Sequence, residues 1–154
     1  MKLKKTSITN YRCFKEAEID FDEHTTLIVG KNGAGKTAIL DAVAVAISTF
    51  LLGIDGGVSR SISKDDARYE FYDLDGTVDP QHQFPVSIES TGDCLDNHDV
   101  KWVRSLNSES GNTTVKEARE LTNISKNTQK RIMTGDKSLI LPLISYYGTG
   151  RLYA

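Results

Sequence analysis

A chain of 154 residues, 38% hydrophobic and 26% charged, has room for one ordinary soluble globular domain with a real core. Its formal net charge of −2 carries no global basic signal for nucleic acid and leaves only a local basic groove open. Cys13 and Cys94 share no C-x-x-C spacing and His24, His82 and His98 are isolated, which argues against a metal centre built from side chains alone and predicts two free, buried thiols in a reducing compartment. With no secretory h-region and no apolar run read as long enough to span a bilayer, a cytoplasmic protein with no membrane partner is expected.

The N-terminal arm is basic, with Lys2, Lys4, Lys5 and Arg12 before the first acid at Glu16. It reads as an edge strand protected by lysines. Asn10 to Phe14 forms a bend. Ala17, Ile19 and Phe21 then alternate with Glu16, Glu18 and Asp20, the period-two pattern of a half-buried strand. After a turn at Asp22-Glu23-His24, the run Thr25-Thr26-Leu27-Ile28-Val29 reads as a buried parallel strand.

Next comes Gly30-Lys31-Asn32-Gly33-Ala34-Gly35-Lys36-Thr37, which fits G-x-x-x-x-G-K-[ST], the phosphate-binding P-loop. Glycines let such a loop turn several backbone N–H groups onto one concave side, and the helix that follows aims its positive end at the same point. Lys36 supplies a mobile charge for the β- and γ-phosphates of ATP, and Thr37 offers a hydroxyl to Mg²⁺. Ala38 to Leu52 is apolar nearly all round, as a buried helix should be. Strand, glycine loop and helix in that order are the context this motif requires.

Residues 53–83 read as a turn-rich acidic loop, with Asp55, Asp65, Asp66, Glu70, Asp73, Asp75 and Asp79 against Arg60, Lys64 and Arg68. Residues 84–106 read as a β-meander of two strands, Phe84 to Thr91 and Val100 to Leu106, joined by the polar stretch Gly92 to Asp99. Trp102 reads as a packing residue, since no aromatic or basic cluster beside it favours base stacking. Asn107 to Asn112 is a turn. Residues 113–134 read as helical, with Lys126, Lys130, Arg131 and Lys137 as a mild basic cluster, either a solvated face or a phosphate contact. Leu139 to Tyr147 is a strongly apolar core strand with a bulge or edge at Pro142, followed by the turn from Gly148.

Asn10-Tyr11-Arg12-Cys13-Phe14, the acidic strand to Phe21, and the P-loop continued through Ala38-Ile39-Leu40-Asp41-Ala42 together resemble the start of an SMC/RecF-type ATPase, a branch of the ABC-type P-loop ATPases. The resemblance is tight over residues 8–42 and loose over most of the rest. It implies that Arg12 lies near the nucleotide; the residue pattern alone leaves a surface arginine on a bend equally open. The stretch Leu141-Pro142 to Tyr146-Tyr147-Gly148-Thr149-Gly150-Arg151-Leu152 resembles stand-alone bacterial ATP-binding proteins described as virulence-related, akin to Septu- and retron-type defence ATPases. That likeness marks Thr149 and Arg151 as switch residues of a sensor loop. Related ATPases also carry a short Asp-Ile-Arg-like segment near Ser61 to Arg68, to which no chemical role attaches.

An ABC-type ATPase also needs a Leu-Ser-Gly-Gly-Gln-like signature loop and a Walker B strand of four apolar residues followed by Asp-Glu. Neither occurs here, nor does a late histidine switch. The expectation is therefore the N-terminal portion of a longer ATPase, residues 1–154 being part of one head. The predicted fold is α/β, a P-loop NTPase lobe with a RecA-like core begun by the strand ending at Val29 and an antiparallel β-subdomain. ATP and Mg²⁺ are the expected cofactors, held by Gly30, Asn32, Gly33, Ala34, Gly35, Lys36, Thr37 and Arg12, with Lys36 in the catalytic role. Pairing of two heads as a homodimer is expected in the full-length protein. The function expected first is an ATP-driven switch in an anti-phage defence complex with a nuclease partner; the alternative is a DNA repair or recombination ATPase that clamps DNA. A small-molecule kinase fits less well, because strands precede the P-loop strand.

Overall fold

The computed structural model describes residues 1–74 and 77–148. A four-stranded antiparallel sheet forms its frame. β1 (Lys2–Tyr11) and β2 (Phe14–Asp20) make a tight hairpin, with Thr6 opposite Ile19 and Ile8 opposite Ala17. β3 (Tyr69–Leu74) and β4 (Thr77–His82) form a separate two-stranded hairpin. β5 (Val86–Cys94) and β6 (Asn97–Leu106) complete the main sheet in the order β2-β1-β5-β6.

Strand alternation puts Thr6, Ile8, Val86, Ile88, Ser90, Val100, Trp102 and Leu106 on the buried face of this sheet. The helix α1 (Lys36–Ser48) lies against that face through Ala38, Ala42, Val45 and Ala46, small enough to let the backbone come close. Trp102, 1% exposed, seals the contact and donates its indole N–H to the Ala46 carbonyl at 3.0 Å, so its one polar group is satisfied inside the core. This is the packing role expected for it. α2 (Arg119–Met133) follows a short 3₁₀ turn and packs Leu121, Thr122, Ser125 and Thr128 inward.

Several expectations are corrected. Residues 25–29 and 139–147 are not strands: Leu27 and Val29 are 82% and 77% exposed, and Ile140 and Leu143 are 86% and 96% exposed. A parallel strand exists only through hydrogen-bonded neighbours, and every strand pair among the described residues is antiparallel and engages other segments. The expected antiparallel sheet is present, and no parallel ladder occurs among the described residues. β1 is a central strand rather than an edge, because β5 pairs along its other side. Its lysines neutralise acids instead, Lys2 with Glu23, Lys4 with Asp93 and Asp99, and Lys5 with Glu18.

The acidic stretch 53–83 contains the β3–β4 hairpin, whose pairing the high charge concealed. β5 and β6 meet at a two-residue tip, Leu95-Asp96, not through an eight-residue link. The second helix starts at Arg119, since Thr113 and Thr114 are drawn into hydrogen bonds with Ile62 and Ser105. Cys94 is buried but Cys13, on the β1–β2 turn, is exposed; both are free. Lys36–Gly53 is an 18-residue helical stretch of mean hydropathy 1.6, long and apolar enough to cross a membrane by length and composition, contrary to the reading of the sequence. Its burial against the sheet accounts for that character as core.

Candidate nucleotide-binding site

Residues 31–35 turn sharply into α1, and Gly33 and Gly35 stand at φ of 82° and 87°, where a side chain is strained. Gly35 caps the helix, so the first amides of α1 open towards the loop. A β-carbon on Gly35 would lie 2.7 Å from the Cys13 sulfur, and the Phe14 ring crowds the same spot. The β1–β2 turn therefore lies directly against the loop, and only glycine admits this approach.

A cleft of about 390 Å³ opens at this junction, lined by Arg12, Cys13, Asn32, Gly33, Gly35, Lys36, Thr37 and Ala38. It gathers Arg12, Asn32, Gly33, Gly35, Lys36 and Thr37 of the predicted set. Gly30 contributes its carbonyl: the Lys36 ammonium donates to the Gly30 and Lys31 carbonyls at 2.7 Å each. Ala34 lies on the exposed outer part of the turn, its amide donating to the Lys31 carbonyl at 3.2 Å. Thr149 and Arg151 lie outside the described residues.

The residues fit an ATP phosphate chain with Mg²⁺. Gly33 and Gly35 add no side chain of their own to the turn, Lys36 is a flexible cation already bent over the loop, and Thr37 is exposed at the cleft wall. Bound Mg²⁺ would supply charge neutralisation for the phosphates, with the Thr37 hydroxyl as the ligand from this loop.

Arg12 is neither a free cation nor a loose surface residue. Its Nη1 pairs with Asp41, and its Nε donates to Asp66 Oδ1 at 2.9 Å. Partial burial works against its charge, but the Asp66 hydrogen bond and the nearby carboxylates raise its pKa. Asp41 also receives Arg60 Nη2 at 3.0 Å and the Tyr146 hydroxyl. Burial, followed by the Asp41 hydrogen bond, pushes the Tyr146 phenol above its ordinary pKa. The Arg60 guanidinium stacks 5.3 Å from the centre of the Tyr146 ring.

Sequence reasoning missed Asp41, Arg60, Asp66 and Tyr146. Two signals were available. Asp41 is a lone carboxylate inside Ala38-Ile39-Leu40-Asp41-Ala42-Val43, where an unpaired charge is costly. Ser63 and Asp66 have capping-box spacing, and Asp66 does accept from the Ser63 amide at 3.0 Å.

A family model for the AAA domain matches residues 5–153. Among individual relatives, a RecF DNA replication and repair protein of Flavobacterium johnsoniae is 54% identical over 43 residues, which make up 28% of this chain and 12% of that protein. A Rad50 DNA double-strand break repair ATPase of Archaeoglobus fulgidus is 48% identical over 44 residues, 29% of this chain and 5% of that protein. The match to a RecF protein of Phocaeicola vulgatus is longer, 30% identical over 90 residues, 57% of this chain and 23% of the relative. The chain thus aligns with less than a quarter of the length of these curated relatives. A chain solved in work on the structural biochemistry of ATP-driven dimerization and DNA-stimulated activation of SMC ATPases superposes with a TM-score of 0.51 at 17% identity, covering 92% of this chain and 87% of that one. The fold is that of a P-loop ATPase head, and the chain belongs to the AAA domain family, in its SMC/RecF-like branch.

Proposed function

We propose that this chain binds ATP with Mg²⁺ at the P-loop cleft and forms part of an ATPase head acting in DNA repair or recombination. The observation that carries the nucleotide reading is the junction of Gly35, Lys36 and Thr37 with the β1–β2 turn in one open cleft at the start of α1. Loop amides and the helix end would hold the phosphates, Lys36 would leave the Gly30 and Lys31 carbonyls to neutralise phosphate charge, and Thr37 would hold the metal. Hydrolysis would be in-line attack of water on the γ-phosphate, completed by carboxylates and a second head that these residues do not supply.

The relatives named for RecF and Rad50 support the DNA branch of this reading, as does the neighbour described for ATP-driven dimerization and DNA stimulation. A cytoplasmic protein with paired heads follows from it. The second reading, a defence switch that holds or releases a nuclease, draws on the likeness at Tyr146-Tyr147-Gly148-Thr149-Gly150-Arg151.

Titration of a fluorescent ATP analogue with Mg²⁺ tests the nucleotide reading. Saturable binding that weakens about tenfold or more in Lys36→Ala is expected, the scale of a lost charge-assisted phosphate contact. Equal signals from both proteins would overturn it. In the full-length protein, turnover stimulated by duplex DNA supports repair; indifference to DNA with co-purification of a nuclease supports defence.

A further inference from the structure

We propose that Asp41 is a positioning residue for the nucleotide site, the buried anchor that sets the Arg12 guanidinium at the phosphate cleft. This rests on the reading that the cleft takes nucleotide phosphates.

Asp41 is 4% exposed, in a helix whose other inward residues are Ala and Val. A buried carboxylate at such a position is destabilising unless fully paired, and an alanine there would satisfy packing alone. Its oxygens instead take donors from three separate parts of the chain: Arg12 from the β1–β2 turn, Arg60 from the segment after α1, and Tyr146 from the segment after α2. Of these, Arg12 also lines the cleft with Lys36 and Thr37.

The geometry of Arg12 makes the dependence specific. Asp41 holds Nη1 and Asp66 holds Nε, so two edges of a planar cation are pinned by two carboxylates on different elements. Two contacts at different atoms fix the orientation of the guanidinium plane, and the Arg12 side chain, still 32% exposed, borders the cleft in that orientation. Asp41 lies five residues beyond Lys36 on the same helix, about 7.5 Å along the axis. The helix that presents its amides and Lys36 to the phosphates therefore also carries the group that aligns Arg12, and one rigid element sets the spacing between both cations. Arg60 and Tyr146 both engage Asp41 Oδ1, opposite the Oδ2 that holds Arg12, and keep the carboxylate from turning.

The test is a double-mutant cycle on Mg²⁺-dependent binding of a fluorescent ATP analogue, using this chain, with thermal melting to follow the folded state. Arg12→Ala and Asp41→Asn should each weaken binding about tenfold, and the double variant should be no weaker than Arg12→Ala within about twofold, because both remove the same contact. Arg12→Lys keeps the charge but cannot span Asp41, Asp66 and the cleft, so it should bind as poorly as Arg12→Ala. It serves as the deciding variant should Asp41→Asn fail to fold.

Asp41→Asn that melts earlier but binds like the parent overturns the proposal, leaving Asp41 a purely structural residue. So do losses that multiply in the double variant, or full affinity in Arg12→Lys. If the parent itself does not bind, the nucleotide reading falls and takes this inference with it. If the parent binds and only the cycle fails, the inference falls alone.

Discussion

Cys13 and Gly35 are in contact across the candidate site: the exposed thiol of the β1–β2 turn sits where a Gly35 side chain would have to go. The hairpin and the glycine loop are thus one packed unit, though Cys13 and Gly35 stand 22 positions apart in the sequence. Gly35→Ala should fail twice over, through its φ of 87° and through the collision with Cys13 and Phe14. We expect a stability loss of at least about 1–2 kcal/mol from the backbone strain, and ATP-analogue binding reduced about tenfold or more. Urea titration and a binding curve on the same preparation read both quantities, and a parent-like curve in each would contradict the packing described.

Turnover is a separate matter from binding. The chain has the G-x-x-x-x-G-K-T loop but no stretch of four apolar residues followed by Asp-Glu to activate water. Phosphate release by this chain should stay at the no-enzyme background while the ATP analogue still binds. Release at an ordinary ATPase rate, abolished by Lys36→Ala, would show that the attacking water is activated from within these residues.

Arg104 is a buried cation that forms no ion pair with a carboxylate among the described residues. It donates to the Thr114 carbonyl at 2.8 Å, to Thr49 Oγ1 at 3.1 Å and to Ser59 Oγ at 3.0 Å, tying β6 to the end of α1 and to two loop segments. Burial lowers its pKa. Arg104→Ala should cost about 2–4 kcal/mol, from the cavity and the orphaned Thr114 carbonyl, whereas Arg119→Ala on the start of α2 should stay within about 0.5 kcal/mol. Chemical denaturation of the two variants side by side measures the contrast.

Acid should act through Asp93. Lys4 bridges Asp93 and Asp99 at 2.7 Å each, and the Asp99 amide donates to Asp93 at 3.0 Å. The Lys4 hydrogen bond, then the Asp99 amide, bring the Asp93 pKa down from an ordinary 3.8 to about 2. The folded state therefore binds this proton less readily than the unfolded one. The stabilisation is fully present above the unfolded value, about pH 4, and is lost as pH falls through 2. Asp93→Asn should melt below the parent at pH 6, and the two curves should converge near pH 2. A gap that is constant with pH would assign the effect to packing instead.

The value of periodicity and its limits are visible in particular elements. Ala17 and Ile19 alternate with acids over a few residues, and β2 forms with that register. Leu139 to Leu143 is more apolar than β2, yet it forms no ladder among the described residues, because apolar content does not specify a partner. Tyr69 to Leu74 was hidden for the opposite reason: its charge masked a pairing with Thr77–His82 that backbone hydrogen bonds sustain. Arg12 could be linked to the nucleotide only by resemblance. Its two carboxylate partners lie 29 and 54 positions away, beyond any local pattern.

By itself the sequence determined the glycine loop, the helix behind it, the alternating strand ahead of it and the ATPase branch. Those features rest on short-range chemistry: positive-φ glycines, a lysine at fixed spacing, a run of small apolar residues. Only the tertiary structure decided which strands pair, that β1 is central rather than an edge, and that Asp41 gathers Arg12, Arg60 and Tyr146. Those outcomes depend on hydrogen bonds and ion pairs between segments far apart in the chain, and such contacts exist only once the backbone has closed around them.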